Sequence, residues 1–133
     1  MAGTHGFVKI NADIPVRYKF LSKTVQLADQ EVHAGHTNNI SGSGLELVAK
    51  IPDGETIHHL LAGGVFVGLN ITLPSDNDPI KTLSQLIYLE PAPEVPGKCA
   101  IGLKFMDMAK EDSDRIMRYT IRAQITKKVQ RPM

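Results

Sequence analysis

Asn39 and Ser41 stand two residues apart in the run Asn38-Asn39-Ile40-Ser41-Gly42-Ser43-Gly44, directly before the alternating Leu45-Glu46-Leu47-Val48. An asparagine amide offers donors and an acceptor, and a serine hydroxyl does both with one atom. Where extended geometry holds through 39–41, both side chains point to one face. Glycine tolerates positive φ and lets a ligand or a second backbone approach, so the pair Gly42 and Gly44 permits a tight turn rimmed by N–H groups. Such a corner suits recognition of a polar ligand by hydrogen bonds. The same residue types also build an ordinary hairpin turn.

Other reactive side chains make weaker patterns. His33, His36, His58 and His59 offer imidazoles at spacings of three and one, but no closing His or Cys completes a metal set. No metal site is expected. Ser41 and Ser43 lie near His36 in sequence, yet Gly42-Ser43-Gly44 leads into a strand pattern rather than the strand-to-helix elbow of a hydrolase. A phosphate loop would need Gly-Lys-Ser/Thr and a following helix, and both are missing. An enzyme is therefore not expected. Cys99 falls on the apolar face of a strand pattern and reads as a small buried hydrophobe. Arg115, Arg118 and Arg122 form a basic helical stripe that reads as a solvated face.

Composition narrows the setting. The 133 residues correspond to one domain, 1–133, with enough chain for a real core. A net charge of +1 supplies no global attraction to nucleic acid or to an acidic membrane. The lone cysteine cannot form an internal disulfide, and residues 1–20 show no basic segment followed by an apolar one. A cytoplasmic location is expected, without membrane insertion. Asn39-Ile40-Ser41 and Asn70-Ile71-Thr72 match the glycosylation sequon and, with no export signal in view, read as chance matches.

The elements that must position the corner follow from period. Residues 1–8 lack periodicity and are expected to form a flexible arm. Ile14, Val16, Tyr18 and Phe20 alternate with Pro15, Arg17, Lys19 and Leu21 and predict a first strand. Val32–Thr37 predicts a short second strand, and Gly44–Lys50 a third. After the Pro52-Asp53-Gly54 turn, Glu55–Leu61 reads as a short helix or loop. Val65, Val67, Leu69, Ile71 and Leu73 mark the clearest strand; Ile80–Glu90 and the alternation from Cys99 to Phe105 follow. The period then changes: Ile116, Met117, Thr120, Ile121 and Ile125 make a helical stripe over about 112–128, with Ser113 as expected N-cap. Six strands and a terminal helix predict a mainly β fold, a small antiparallel barrel or sandwich with the helix over an opening or edge.

Taken in order, these segments resemble the bacterial PilZ domain. Asn39-Ile40-Ser41-Gly42-Ser43-Gly44 fits that family's Asp/Asn-x-Ser-x-x-Gly turn in full. Lys9–Val16 is similar to its passage from the arm into the first strand, Ala100–Phe105 to its last-strand Gly-x-x-Phe, and Asp114–Tyr119 to the start of its helix. The resemblance implies a six-stranded antiparallel β-barrel with a C-terminal α-helix. It also implies a receptor for the second messenger cyclic di-GMP that signals to a partner protein in motility, pilus or exopolysaccharide control. No further cofactor is implied. Carried over residue by residue, the ligand groups are Asn39, Ser41 and Gly44 of the turn and, from the arm, His5 and Lys9. On this reading Gly44 leaves room for the ligand.

The arm departs from the family pattern. Where Arg-x-x-x-Arg is typical, this chain has His5-x-x-x-Lys9. Arginine presents a planar fork that pairs bidentately with phosphate or guanine. Lysine keeps the charge without the fork, and histidine is largely neutral at pH 7. Each lost hydrogen bond to a charged group costs roughly 1.5–3 kcal/mol, so the two replacements remove about one to four decades of affinity. The alternative function is accordingly an adaptor of the same fold that does not bind cyclic di-GMP and acts through protein contacts.

Overall fold

The computed structural model describes residues 8–74, 76–92 and 94–130, with side chains described through residue 126. The elements run β1 (Ile10–Asn11), β2 (Pro15–Leu21), β3 (His33–Ile40), β4 (Gly44–Lys50), α1 (Gly54–Leu61), β5 (Phe66–Ile71), β6 (Ile80–Pro91), β7 (Lys98–Met106) and α2 (Lys110–Gln130). Strands pair antiparallel in the order β3-β2-β5-β6-β7-β4, and β4 returns to β3. The result is the expected closed six-stranded barrel with a C-terminal helix.

Period two puts every second side chain inside. Val16, Tyr18 and Phe20 of β2 meet Val67, Leu69 and Ile71 of β5 in a core closed by Leu47, Ile101 and Leu103. Burial of Tyr18 pushes its phenol up to about 12, so it stays protonated. Among the described residues each helix adds one fully buried apolar side chain, Leu60 from α1 and Ile116 from α2, beside a buried threonine, Thr56 and Thr120. The Asp53 carboxylate caps α1 by accepting the Thr56 N–H at 2.7 Å.

Several expectations change. The second strand continues to Ile40, so Asn38 and Asn39 are strand residues and the turn shrinks to 41–43. Pairing on both edges is the reason: Asn39 lies opposite Asn11 of β1 and Glu46 of β4. The imperfect spacing of β6 is a bulge between Leu86 and Tyr88. Ser113 does not cap α2; the helix begins at Lys110, and the Ser113 N–H already donates to the Ala109 carbonyl at 3.0 Å. Ile121 and Ile125 stay exposed, and Ile116 and Thr120 carry the packing.

Arg115 also departs from the solvated stripe. Its Nε donates to Asp76 at 2.8 Å, its Nη1 to Asp112 at 3.0 Å, and its Nη2 to the Asp78 carbonyl. The fork ties α2 to the loop between β5 and β6, leaving the side chain only 18 % exposed.

A ligand cleft at the β3–β4 corner

β1 and β2 lie end to end along one edge of β3, with Ile10 opposite Ile40 and Pro15 opposite His36. Thr37 spans the break between them. Its hydroxyl accepts the Ile14 N–H at 3.0 Å and donates to the Ala12 carbonyl, while the Ala12 N–H reaches the Asn38 carbonyl at 3.1 Å. This stitching holds the N-terminal segment beside the corner, and Lys9 comes with it.

Lys9, Asn39, Ser41 and Gly44 line one open cleft of about 260 Å³, together with Tyr88 of β6 and Lys104 of β7. His5 lies outside the described residues. A single cross-strand row shapes the cleft: Tyr88 lies opposite Gly102, Gly102 opposite Glu46, and Glu46 opposite Asn39. With the Tyr88 ring in this position a side chain at 102 is excluded, because a Cβ there would come within 2.2–2.5 Å of the ring. The ring lies over this gap and its hydroxyl donates to Glu46. Asn38 Nδ2 holds the other Glu46 oxygen at 2.9 Å. Burial, followed by the Glu46 hydrogen bond, raises the Tyr88 pKa, so the phenol keeps its proton.

The turn uses its own polar groups. The Ser41 N–H donates to the Gly44 carbonyl at 2.8 Å, and Ser41 Oγ accepts the Ser43 N–H at 3.2 Å. Gly44 plays a part that the sequence reading did not foresee. A Cβ at 44 would lie 2.1 Å from the Leu103 carbonyl oxygen, so the missing side chain makes room for β7. Sequence reasoning also missed Tyr88, Lys104 and Glu46. The broken alternation of Ile80–Glu90 was the only hint of the first.

The histidines disperse into separate contacts. His33 Nε2 lies 2.7 Å from Asp29, His36 Nδ1 lies 3.2 Å from Asp13, and the rings of His58 and His59 meet edge-on. His36 therefore faces a carboxylate rather than either serine. Among the described residues, no three His, Cys, Asp or Glu side chains cluster as metal ligands. Cys99 is buried against the Lys50 carbonyl, and burial pushes its thiol up.

The family model described as "PilZ domain" matches residues 15–122. This chain belongs to the PilZ domain family. Solved PilZ-type structures share its fold. The Bacillus subtilis inhibitor of motility MotI/DgrA is 21% identical with a TM-score of 0.68, covering 94% of this chain and 52% of that one. This chain thus spans about half of that protein's length. The PilZ domain of YcgR from Escherichia coli, solved with c-di-GMP, is 12% identical with a TM-score of 0.63, covering 95% and 97%. The PilZ domain of CeSA from a cellulose-synthesizing bacterium is 15% identical with a TM-score of 0.55, covering 88% and 98%. No curated protein sequence matches. Among the described residues of this PilZ chain, no helix is long and apolar enough to cross a membrane.

Proposed function

We propose that this PilZ domain is a receptor for cyclic di-GMP that passes the signal to a partner protein, with the ligand in the Lys9–Asn39–Ser41 cleft. The observation that carries the reading is the convergence on one cavity of Lys9, just ahead of the β1 strand that pairs with the end of β3, and the Asn39/Ser41 corner at that same end. Two phosphates need two compensating charges, and Lys9 and Lys104 supply them at the cleft. Asn39 meets a guanine edge through its amide. The Tyr88 ring offers an apolar surface on which a base can stack. Ser41 lines the cleft, its hydroxyl accepting the Ser43 N–H within the turn. The cleft is smaller than the roughly 300–1,000 Å³ typical of ligand pockets. The arm ahead of Lys9, with His5 at the first position, supplies the remaining cover on this reading.

YcgR was solved with c-di-GMP and MotI/DgrA is an inhibitor of motility; control of motility through a protein partner is the output we infer here. The protein acts by binding and not by catalysis. Isothermal titration of the full chain with cyclic di-GMP is the test. Saturable heat, weakened by Asn39→Ala, is expected. Absence of heat up to millimolar ligand would overturn the reading.

Two observations favour the adaptor without ligand. Arginine is absent from positions 5 and 9, and the Ser41 hydroxyl is already engaged inside its turn. A pull-down recovering the same partner equally well with and without cyclic di-GMP would select this second reading.

A further inference from the structure

A second cleft, of about 600 Å³, opens on the outer face of the sheet formed by β2, β5 and β6. We propose that this face docks an acidic, amphipathic segment of a partner protein. The inference does not rest on the cyclic di-GMP reading.

The register arranges the chemistry in rows. Arg17 lies opposite Asn70, and Asn70 opposite Lys81; one step along, Lys19 lies opposite Gly68, and Gly68 opposite Leu83. Three cations thus flank a notch where β5 carries no side chain. Leu21 leans over that notch, its Cδ1 within 3.1 Å of where a Gly68 Cβ would stand. Leu21 is 38% exposed and Val32, at the cleft's edge, 60% exposed. The apolar and cationic halves lie side by side.

Charge complementarity names the occupant. Among the described residues, none of Arg17, Lys19 or Lys81 forms an ion pair with an acid. One carboxylate, Asp107, lines the same cleft and leaves the cations in excess. With neighbouring strands about 4.8 Å apart, Arg17 and Lys81 stand roughly 10 Å from each other across β5. That span is too wide for one phosphate group and matches carboxylates distributed along a peptide. The exposed leucine and valine call for apolar side chains between them. β2, β5 and β6 are interior strands of a closed barrel, so a partner meets side chains here and cannot add a strand.

The test is an NMR titration of the full 15N-labelled chain with a synthetic amphipathic helical peptide of Leu and Glu. The expected result is saturable shifts at Arg17, Lys19, Gly68 and Lys81, with the Asn39 and Ser41 amides unmoved. Binding should weaken as ionic strength passes about 0.15 M. Arg17→Glu with Lys81→Glu should reduce affinity at least about tenfold, while the exposed control Arg122→Glu leaves it unchanged. Lys19→Glu alone, checked for an unchanged melting temperature, serves if the double variant does not fold. Equal binding of a Leu/Lys peptide, or no shifts at millimolar peptide, would overturn the proposal. Shifts at this face produced by phosphatidylglycerol vesicles or by protein concentration alone, without response to the peptide, would overturn it in favour of a lipid surface or a second copy. Cyclic di-GMP serves as a separate arm: its failure to bind removes the function proposed above and leaves this one standing.

Discussion

The side-chain hydroxyl of Thr37 accepts the backbone N–H of Ile14 at 3.0 Å, across 23 residues of sequence and in a site closed to solvent. That hydroxyl also accounts for the Ala12 carbonyl. This side chain therefore supplements, across the break between β1 and β2, the backbone bonds from Ala12 N–H to the Asn38 carbonyl and from Thr37 N–H to the Ile14 carbonyl, and it helps to hold the segment that carries Lys9.

Thr37→Val keeps the shape and removes both bonds. Leaving a buried backbone donor unpaired costs about 1–3 kcal/mol, and at roughly 4 °C per kcal/mol Tm should drop by about 4–12 °C. Cyclic di-GMP affinity should fall further than this loss of stability explains, because β1 is released locally. Hydrogen exchange at Ile10–Ile14 checks the mechanism. Unchanged protection there would show that β1 is held by something else.

Lys9→Arg restores the planar fork. One gained charge-assisted hydrogen bond of about 1.5 kcal/mol corresponds to roughly tenfold tighter binding of cyclic di-GMP. Lys9→Ala should weaken it by a similar factor. Calorimetry on both variants is the measurement; identical affinities would place Lys9 outside the contact.

Gly44→Ala and Ser41→Ala should behave differently, although both residues line the cleft. The alanine Cβ at 44 would strike the Leu103 carbonyl, and β4 would have to part from β7. Loss of soluble folded protein, or a destabilisation above about 3 kcal/mol, is expected. Ser41→Ala should retain the circular dichroism spectrum and lower ligand affinity. If Gly44→Ala folds normally, the close approach of β7 has been misjudged.

Acid should unfold the protein partly through Asp53 and Asp76. Donation from the Thr56 N–H holds Asp53 below the ordinary carboxylate range, and the Arg115 hydrogen bond does the same for Asp76. A carboxyl whose pKa falls on folding stabilises the fold above its unfolded value of about 3.9. That contribution disappears as pH drops through the lower folded value. Tm should therefore hold from pH 7 down to about pH 5 and decline below about pH 4. Asp53→Asn preserves a capping acceptor and should flatten part of that decline. Arg115→Ala should lower Tm at pH 7 and flatten it too, and melts across the pH range decide both.

The barrel's strands were legible because their inner faces need one apolar side chain in every two. Val65 through Leu73 and Ile14 through Phe20 declare that period without help from the rest of the chain. The turn at 41–43 and the helical stripe around Ile116 are local in the same sense, since glycine, serine and a 3.6-residue repeat act over a few residues. Membership of the PilZ family was readable on those motifs.

Nothing local predicts what crosses the sheet. That Gly44 must leave room for a neighbouring strand depends on Leu103, and whether Arg115 faces water depends on Asp76, 39 residues away. Ser113 suits a cap by type, but the chain entering α2 from β7 starts the helix at Lys110. The Tyr88–Gly102–Glu46–Asn39 row exists only through the register of four strands. Register is set by closing the whole barrel, a condition on all its strands together that no short stretch of residues contains.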